Sequence, residues 1–306
     1  MAGTLNLEVP ERLEGQRVDK VLADLLELSR AQARSLLEAG VLLDGSPARP
    51  SDRVHTGAVV ETPIPEVAIG LVAEPVEFGV IHEDPDLIIV DKPPGLVVHP
   101  GSGHERPTLA AGLLHRYPEL EGVGAAGRWG MIHRLDRDTS GVLVVGRNAA
   151  SFEALDSAMA RRQLRRQYIA LVHGRFATPT GTVDAPIGRD PDRPTRRAVV
   201  PGGKPAVTHY EVVEEFATSD VSLLEVALAT GRTHQIRVHM TAIDHAIVGD
   251  KAYTGPNKAV DSPRIFLHAH MVGLQHPTTG EELTFTSRLP SDLTEVLDLV
   301  RSTEDG

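Results

Sequence analysis

Nine consecutive residues in the middle of the chain concentrate the side chains that could carry out chemistry. Residues 133–141 hold a histidine, two arginines, two aspartates, a threonine, a serine and a glycine. An aspartate that is kept ionised by an arginine in a sheltered cleft can act as a nucleophile or a base. Aspartate and serine also make local backbone hydrogen bonds in ordinary surface turns, so this stretch alone leaves both interpretations open.

Apolar residues flank the stretch on both sides. Met131-Ile132 precede it and Val142–Val145 follow it, which predicts a strand on either side of a polar loop. Similar runs predict further strands and a helix: strands over 87–90, 168–172 and 223–228, and a helix over 151–162. Because helices and strands do not alternate regularly, an α+β fold is favoured over a doubly wound one. Loops at the ends of such strands are where a rigid sheet presents reactive side chains.

A tyrosine leads one of the predicted strands. Arg166 and Gln167 come directly before Tyr168, and Tyr168, Ala170 and Val172 share one face of the strand. A tyrosine ring is a flat surface for a planar substrate, and neighbouring arginines suit phosphate groups. Stacking combined with phosphate contact is typical of proteins that grip single-stranded or looped RNA.

A second polar cluster, Thr230–His239, follows the last predicted strand. Gly231 is predicted to permit a tight turn and Thr233 to cap the following helix. His234 and Arg237 are three residues apart and share a helix face. A simple junction between a turn and a helix does not need two arginines, two histidines and a glutamine, so this cluster is a candidate functional site.

The N-terminal region has the pattern of a small binding module. Four apolar residues at helical spacing predict its first helix: Val18, Val21, Leu22 and Leu25. A capping box of Ser29 and Gln32 predicts a second helix over 31–39, which ends at Gly40. Asp44-Gly45 predicts a hairpin turn, and Val59-Val60 predicts a short strand after it. So small a core is marginal, and such a module usually binds something rather than catalysing a reaction.

Composition and charge limit the classes of protein. The chain has 306 residues, 41% of them apolar, so a large core is available. There is no cysteine, which excludes disulfides and cysteine nucleophiles, and no signal peptide or membrane-spanning stretch is found, so we expect a cytoplasmic protein. The net charge of −11 points away from a general polyanion binder. Two local clusters are nevertheless basic: Arg161, Arg162, Arg165 and Arg166, and then Arg189, Arg193, Arg196, Arg197 and Lys204.

Taken in order, the three polar clusters resemble the motifs of the RluA family of ribosomal RNA pseudouridine synthases, and are most similar to its RluD branch. Other segments share this resemblance: 87–95, 96–101, 181–187, 203–208, 247–250, 267–269 and 276–280. The N-terminal module resembles the alpha-L RNA-binding motif at 17–20, 29–33, 40–41 and 44–45. The resemblance implies an α+β protein, with a small alpha-L domain before a catalytic domain built on a central mixed, largely antiparallel sheet. Pro63, Pro65 and Pro75 indicate a linker between the two.

The domain boundaries that follow are an N-terminal tail over 1–15, an alpha-L domain over 16–62, a linker over 63–75, a catalytic domain over 76–300 and a C-terminal tail over 301–306. The resemblance makes Asp136 the catalytic aspartate and Arg237 its basic partner. It places Tyr168 against the target base, where it takes the C5 proton, and Arg134 in the RNA stack in place of the flipped nucleotide. The remaining residues that it implies are His133, Ile236, Arg232 and His234 around the base, and Arg30, Arg34, Arg165, Arg166, Arg196 and Lys204 along the RNA.

The expected reaction is the isomerisation of uridine to pseudouridine in large-subunit (23S) ribosomal RNA, at the helix 69 stem-loop that RluD-like relatives modify. We expect a monomer that acts on ribosomal RNA or a pre-ribosomal particle. No redox change or phosphoryl transfer is involved, so we expect no cofactor and no metal. His268 and His270 alternate along one strand, but no carboxylate at a ligand spacing supports a metal site there.

Three alternatives remain open. The first is a catalytically silent RNA-binding or ribosome-assembly factor, and the second is the same enzyme acting on other ribosomal RNA or transfer RNA sites. The third is an aspartyl-phosphate phosphatase, because Asp136 and Asp138 form a D-x-D pattern that would need magnesium. Such phosphatases have an apolar strand running directly into the first aspartate and a threonine at position 140, where this chain has His133-Arg134 and Ser140.

Overall fold

The computed structural model describes residues 4–26, 30–63, 71–99, 107–124, 127–193, 196–253 and 260–304. The chain divides into two compact units, residues 1–72 and 73–306. Among the described residues, no helix is long and apolar enough to cross a membrane.

The first unit packs two helices against a four-stranded sheet. Its elements are β1 Thr4–Glu8, α1 Val18–Leu25, α2 Arg30–Glu38, β2 Leu42–Leu43, β3 Ser46–Pro47 and β4 Val59–Pro63. The strand order is β1-β4-β2-β3. Both helices turn an apolar face inward, where Val18, Val21, Leu22, Ala33 and Leu37 are buried with Val60 of β4. This shared core explains why two short helices are stable here, since helices of this length are marginal alone.

The predicted turns of the first unit are confirmed, and its predicted N-terminal tail is wrong. Asp44 and Gly45 have φ angles of 48° and 75°, the left-handed pair that a tight hairpin between β2 and β3 requires. Residues 4–8 of the predicted tail form β1, which pairs antiparallel with β4. Leu5 and Leu7 alternate with polar residues, a pattern that indicates a strand and that the prediction of a tail did not take into account. The capping box of Ser29 and Gln32 lies outside the described residues.

The second unit contains the remaining elements. They are β5 Gly79–Glu83, β6 Leu87–Lys92, α3 Leu109–Arg116, β7 Ser140–Gly146, α4 Ala149–Ala160, β8 Arg165–His173, β9 Thr180–Asp184, β10 Ile187–Arg189, β11 Arg197–Val199, β12 Val207–Phe216, β13 Val221–Leu228, α5 Gln235–Ala242, β14 Leu267–Gln275, β15 Glu282–Thr286 and α6 Ser291–Glu304. The strands over 87–90, 142–145, 168–172 and 223–228 are confirmed, as is the helix over 151–162, with ends shifted by at most three residues.

One large sheet organises the second unit. Within the described residues it has nine strands in the order β5-β6-β7-β14-β8-β13-β12-β9, with β15 pairing to β14. β7 and β14 run parallel, and the other neighbouring strands are antiparallel. The predicted α+β class with a mixed, largely antiparallel sheet is confirmed.

Strand β14 brings two predicted site motifs together. Ala269 on β14 pairs with Gly141 on β7 on one side and with Tyr168 on β8 on the other. The polar loop before β7 and the tyrosine of β8 therefore lie two strand spacings apart, about 10 Å. Because β13 is the next strand after β8, the turn that follows β13 lies on the far side of the same tyrosine.

Two local predictions in this unit are wrong. Met131-Ile132 do not form a strand: Met131 makes a single bridge to Val145, and the chain turns just before it at Trp129-Gly130 and after it at Arg137-Asp138. Residues 301–304 of the predicted C-terminal tail are the last turn of α6. Arg301 binds the Glu214 carboxylate at 2.6 Å, which fixes the end of α6 to β12. Residues 305–306 lie outside the described part of the chain.

The glycine at the start of β7 is required by close packing. Gly141 has a φ of +111°, and a Cβ built there would lie 2.2 Å from the carbonyl oxygen of Ala269. We expect Gly141→Ala to lower the free energy of unfolding by roughly 2–4 kcal/mol, because the backbones of β7 and β14 must separate. Gly280 is the matched control: its φ is +73° and a Cβ there meets nothing within 4 Å.

Chemical denaturation of both alanine variants measures the difference. Gly280→Ala should lower the free energy of unfolding by only about 1 kcal/mol, the cost of placing a residue with a Cβ at a positive φ. Equal losses at the two positions would contradict the packing explanation.

Candidate active site

Most of the predicted site residues line one cavity of about 630 Å³ in the second unit. They come from the loop before β7, from β8, from the turn between β13 and α5, and from α5 itself: His133, Arg134, Asp136, Arg166, Tyr168, Arg232, His234, Ile236 and Arg237. A second cavity of about 550 Å³ shares Arg134, Asp136, His234 and Arg237. Asp136 therefore lies between two adjoining cavities, one lined by Tyr168 and the other by Asp250.

The loop that carries Asp136 is fixed through its backbone. Lys92, at the end of β6, is buried and donates to the carbonyl oxygens of Arg137, Pro93 and Leu96 at 2.9, 2.8 and 2.9 Å. Arg264 donates to the carbonyl of Asp138 at 3.1 Å. Burial lowers the pKa of Lys92 to about 7, and the Asp138 charge opposes that shift. These bonds hold the loop independently of its own side chains, as precise positioning of a reactive group requires.

An arginine between two aspartates forms the centre of the site. Arg237 donates to Asp136 Oδ2 at 3.0 Å, and its other edge makes a bidentate pair with Asp250 at 2.8 and 3.0 Å. The Asp250 side chain is 1% exposed and the Asp136 side chain 19%. The two carboxylates raise the pKa of Arg237 above its already high value despite burial. Asp250 therefore fixes the guanidinium, and the guanidinium holds the Asp136 side chain at the cavity wall.

A glutamine sets the geometry of the turn before α5. Gln235 accepts from the Thr230 hydroxyl and the Arg232 backbone at 2.8 and 2.9 Å, and it donates to Val207 and Thr208 of β12 at 3.0 Å. These four bonds anchor the first turn of the helix to the sheet. Arg237, half a turn further along, is positioned by this anchor.

Two sequence interpretations of this turn are wrong. Thr233 does not cap the helix: the boundary residue of α5 is His234, which has a left-handed φ of 59° and makes no side-chain cap. Gly231 does not have a positive φ. A Cβ there would lie 2.8 Å from Arg166 Nη1, so the glycine leaves room for that guanidinium rather than enabling a turn.

An aromatic ring and a buried arginine form the inner wall of the cavity. Tyr168 is 6% exposed and Arg166 8%, and both line the cavity with Ile236. Burial raises the pKa of Tyr168, which favours its neutral phenol. Arg166 donates to the Leu228 carbonyl at 3.4 Å. A neutral ring beside an apolar side chain and fixed N–H donors suits a flat ligand with polar edges.

The cavity wall contains polar atoms that lack partners. Within the described residues, His99 Nδ1, His133 Nδ1, Thr139 Oγ1 and Arg166 Nε are buried without a hydrogen bond. All four residues line the same cavity. Burial lowers the pKa of His133 to about 3 and that of His99 to about 4, so both rings are neutral at neutral pH. Unpartnered buried polar groups are costly, and these four belong to residues that line one cavity.

The other predicted basic residues lie elsewhere. Arg165, Arg196 and Lys204 are outside the set that lines the cavity; Arg165 and Lys204 are exposed, and Arg196 is half-buried. In the first unit, the Arg34 side chain is 57% exposed and lies 3.8 Å from Asp19, which also binds Arg17 at 2.9 Å. The side chain of Arg30 lies outside the described residues.

Four residues of the site were not predicted from the sequence to have a functional role. Asp250 and Lys92 lie in segments that carry the family resemblance, but neither received a role. Arg264 and Tyr253 gave no signal, because their importance comes from contacts with residues far away in the chain. A charged residue directly after a buried apolar strand, as in Val90-Asp91-Lys92, is a signal that could have pointed to Lys92.

Comparison with known proteins shows which family the chain belongs to. The family model described as RNA pseudouridylate synthase matches residues 86–242, and the S4 domain model matches residues 16–60. The first match covers half of the chain and includes Asp136, Tyr168 and Arg237. The chain belongs to the RNA pseudouridylate synthase family, and the predicted enzyme class and N-terminal RNA-binding domain are confirmed.

Relatives within this family place the chain more narrowly. It is 48% identical to an uncharacterized RNA pseudouridine synthase of Chloroflexus aurantiacus, over 94% of this chain and 91% of the relative. It is 41% identical to the ribosomal large subunit pseudouridine synthase D of Nitrosomonas europaea, over 98% and 88%, and 38% identical to that of Escherichia coli, over 97% and 94%. The solved structure of human RNA pseudouridylate synthase domain containing 1 superposes with a TM-score of 0.57 at 25% identity, over 75% of this chain and 98% of that one. The predicted similarity to the RluD branch is confirmed.

Proposed function

We propose that this protein converts uridine to pseudouridine in large-subunit ribosomal RNA, with Asp136 as the catalytic residue and the helix 69 stem-loop as its target. The observation that carries the proposal is the Asp136 carboxylate held by Arg237 at 3.0 Å on the wall of the cavity that Tyr168 and Ile236 line. The names of the relatives from Nitrosomonas europaea and Escherichia coli support the substrate.

The first step is extrusion of the target nucleotide. The glycosidic bond of a stacked uridine is out of reach of a carboxylate, so the base must flip into the cavity, at a cost of a few kcal/mol that is lowest in a loop. Arg134 is exposed next to Asp136 and lines both cavities. In the proposal its guanidinium fills the space that the flipped base leaves in the RNA stack.

Inside the cavity, the base is held and the sugar is attacked or deprotonated. The neutral Tyr168 ring and Ile236 contact the faces of the uracil, while the unpartnered donors on the wall complete bonds to its polar edge. Asp136 then acts by attack at C1′, by attack at C6 or by removing the C2′ proton. In each case the N1–C1′ bond breaks, uracil rotates and a C5–C1′ bond forms. C5 loses its proton to solvent by way of Tyr168 and N1 gains one, so the reaction is a balanced isomerisation.

RNA outside the target nucleotide binds to basic side chains. In the second unit these are Arg165, Arg196 and Lys204, whose positions outside the cavity suit phosphate contacts along the strand. In the first unit, Arg30 and Arg34 of the S4 domain serve the same purpose. Binding through phosphates positions the substrate without reading its sequence.

The experiment uses RNA labelled with tritium at uridine C5. An isolated helix 69 stem-loop, folded in monovalent salt, is incubated with the protein and EDTA, and the release of tritium is measured. We expect release from this RNA and none from a matched stem-loop whose loop uridines are replaced by cytidine.

Other outcomes identify the alternatives. Release from transfer RNA or from another ribosomal RNA segment, but not from helix 69, would overturn the target. RNA binding without release from any RNA would support a catalytically silent assembly factor. Phosphatase activity that requires magnesium would support the aspartyl-phosphate mechanism.

A further inference from the structure

His234 has an uncommon backbone conformation that places its ring between two polar groups. Its φ of 59° and ψ of 21° are left-handed values that few residues with a Cβ adopt. The ring nitrogen Nδ1 lies 2.9 Å from the Tyr253 hydroxyl, and Nε2 lies 3.8 Å from Asp136 Oδ2. The second distance is an electrostatic contact rather than a hydrogen bond. A strained backbone conformation persists only where the surrounding structure holds it. At His234 this conformation places the imidazole beside the Asp136 carboxylate.

The partner of Tyr253 determines which way its hydroxyl points. The hydroxyl oxygen accepts a hydrogen bond from the Arg197 backbone N–H at 2.9 Å. The phenolic hydrogen is therefore free to be donated to His234 Nδ1. The ring of Tyr253 also lies over the Arg237 guanidinium, 4.9 Å from its centroid, which fixes the position of the hydroxyl.

This direction selects one form of the imidazole. Burial lowers the pKa of His234, against the opposing charge of Asp136, so the ring is neutral and carries one hydrogen. If Nδ1 accepts from Tyr253, that hydrogen lies on Nε2 and faces the carboxylate. The opposite tautomer would direct the Nε2 lone pair at a negative charge and leave the phenolic hydrogen without an acceptor. Both effects favour the Nε2–H tautomer.

Both contacts of the Asp136 carboxylate fall on the same oxygen. Arg237 Nη1 and His234 Nε2 approach Oδ2, at 3.0 and 3.8 Å, and Oδ1 accepts no hydrogen bond from the described residues. Two positive or partly positive groups on one oxygen localise negative charge there and restrict rotation of the carboxylate. The second oxygen remains unengaged.

We propose that Tyr253 and His234 are positioning residues, which act with Arg237 to hold Oδ2 of Asp136 so that Oδ1 is the oxygen presented to the substrate. This proposal rests on the proposed function of Asp136. The chain of contacts begins at the backbone of Arg197, in β11 of the hairpin that also carries Arg189 and Arg196. The position of this hairpin is thereby coupled to the orientation of the imidazole.

The first test removes one hydroxyl. Tyr253→Phe keeps the ring over Arg237 and deletes the hydroxyl that donates to His234 and accepts from the Arg197 backbone N–H. We expect the single-turnover rate of tritium release to fall about fivefold to tenfold, the effect of one hydrogen bond, with the RNA dissociation constant unchanged. Tyr210→Phe is the matched control, because Tyr210 packs on Phe176 away from the cavity, and its rate should equal that of the wild type.

The second test removes the group that faces Asp136. Asparagine tolerates the left-handed backbone, and its amide occupies the place of Nδ1 without reaching the carboxylate. We expect His234→Asn to lower the same rate more than Tyr253→Phe does, again without weakening RNA binding. Rates equal to wild type for both variants would overturn the proposal.

A measurement without RNA separates this proposal from the proposed function. The ¹⁵N chemical shifts of the His234 ring distinguish a protonated from an unprotonated nitrogen. We expect Nε2 to be protonated in the wild type and the two tautomers to mix in Tyr253→Phe. A proton on Nδ1 in the wild type would overturn the positioning chain even in an active enzyme. A wild type with the expected tautomer that releases no tritium from any RNA would instead refute the proposed function.

Discussion

Asp136→Asn is expected to abolish tritium release, with a loss of at least roughly 10³-fold, the size of effect seen when a group essential to the chemical step is removed. Asparagine has the same shape and can still accept a hydrogen bond from Arg237, but it has no negative charge for nucleophilic or base chemistry. The Arg237 guanidinium keeps its bidentate pair with Asp250, so we expect the free energy of unfolding to change by only about 1 kcal/mol.

The neighbouring aspartate provides the matched control. Asp138 is in the same loop, and its carboxylate binds the Arg137 guanidinium at 2.9 Å on the surface. Asp138→Asn should keep nearly full activity, whereas a D-x-D phosphatase would need both aspartates. Single-turnover tritium release and fluorescence anisotropy with the same RNA measure activity and binding. Activity retained in Asp136→Asn, with binding intact, would refute the assigned role.

Arg237→Met is expected to remove activity and to destabilise the fold by about 3–5 kcal/mol, the usual cost of leaving a buried charge without its partner. The Asp250 side chain is 1% exposed and gains both of its guanidinium hydrogen bonds from Arg237. Methionine fills much of the same space, so the loss would come from the unpaired charge rather than from a cavity.

Two further variants test that explanation by chemical denaturation. Arg237→Met combined with Asp250→Asn removes the buried charge along with its partner and should recover part of the stability but none of the activity. Arg301→Met breaks a surface pair with Glu214 and should cost less than about 1 kcal/mol. If the Arg237 and Arg301 variants lose equal stability, the buried pair does not have the importance assigned to it.

Much of the fold could be predicted from local patterns. Continuous apolar runs identified β6 and β7, because strands buried on both faces lack polar alternation. The Asp44-Gly45 hairpin followed from its need for two left-handed residues. The prediction failed where the pattern is weak, at β1 in the supposed tail. It also failed at Met131-Ile132, an apolar pair that makes one bridge and one hydrogen bond to β7 without extending into a strand.

The sequence brought together the residues of the site but not the contacts that orient them. Polar clusters at strand ends indicated the three segments, and the family resemblance identified Asp136, Tyr168 and Arg237 within them; all three line one cavity. Asp250 and Tyr253 could not be predicted, since the features that matter are a bidentate geometry and a hydroxyl direction. Gly231 was misread for the same reason: the guanidinium that needs its space lies 65 residues earlier in the chain.

The central position of β14 determines when the active site can form during protein synthesis. β7 and β8 are separated in the sheet by a strand that is made almost one hundred residues after β8. Until residues 267–275 emerge from the ribosome, the edges of β7 and β8 have no strand to pair with between them. The loop that carries Asp136 also lacks the hydrogen bond that Arg264 donates to the Asp138 carbonyl. Since domains fold as units and distant pairings are slow to form, the nascent chain remains inactive until its C-terminal part is made. Catalytic competence is thereby tied to the synthesis of β14.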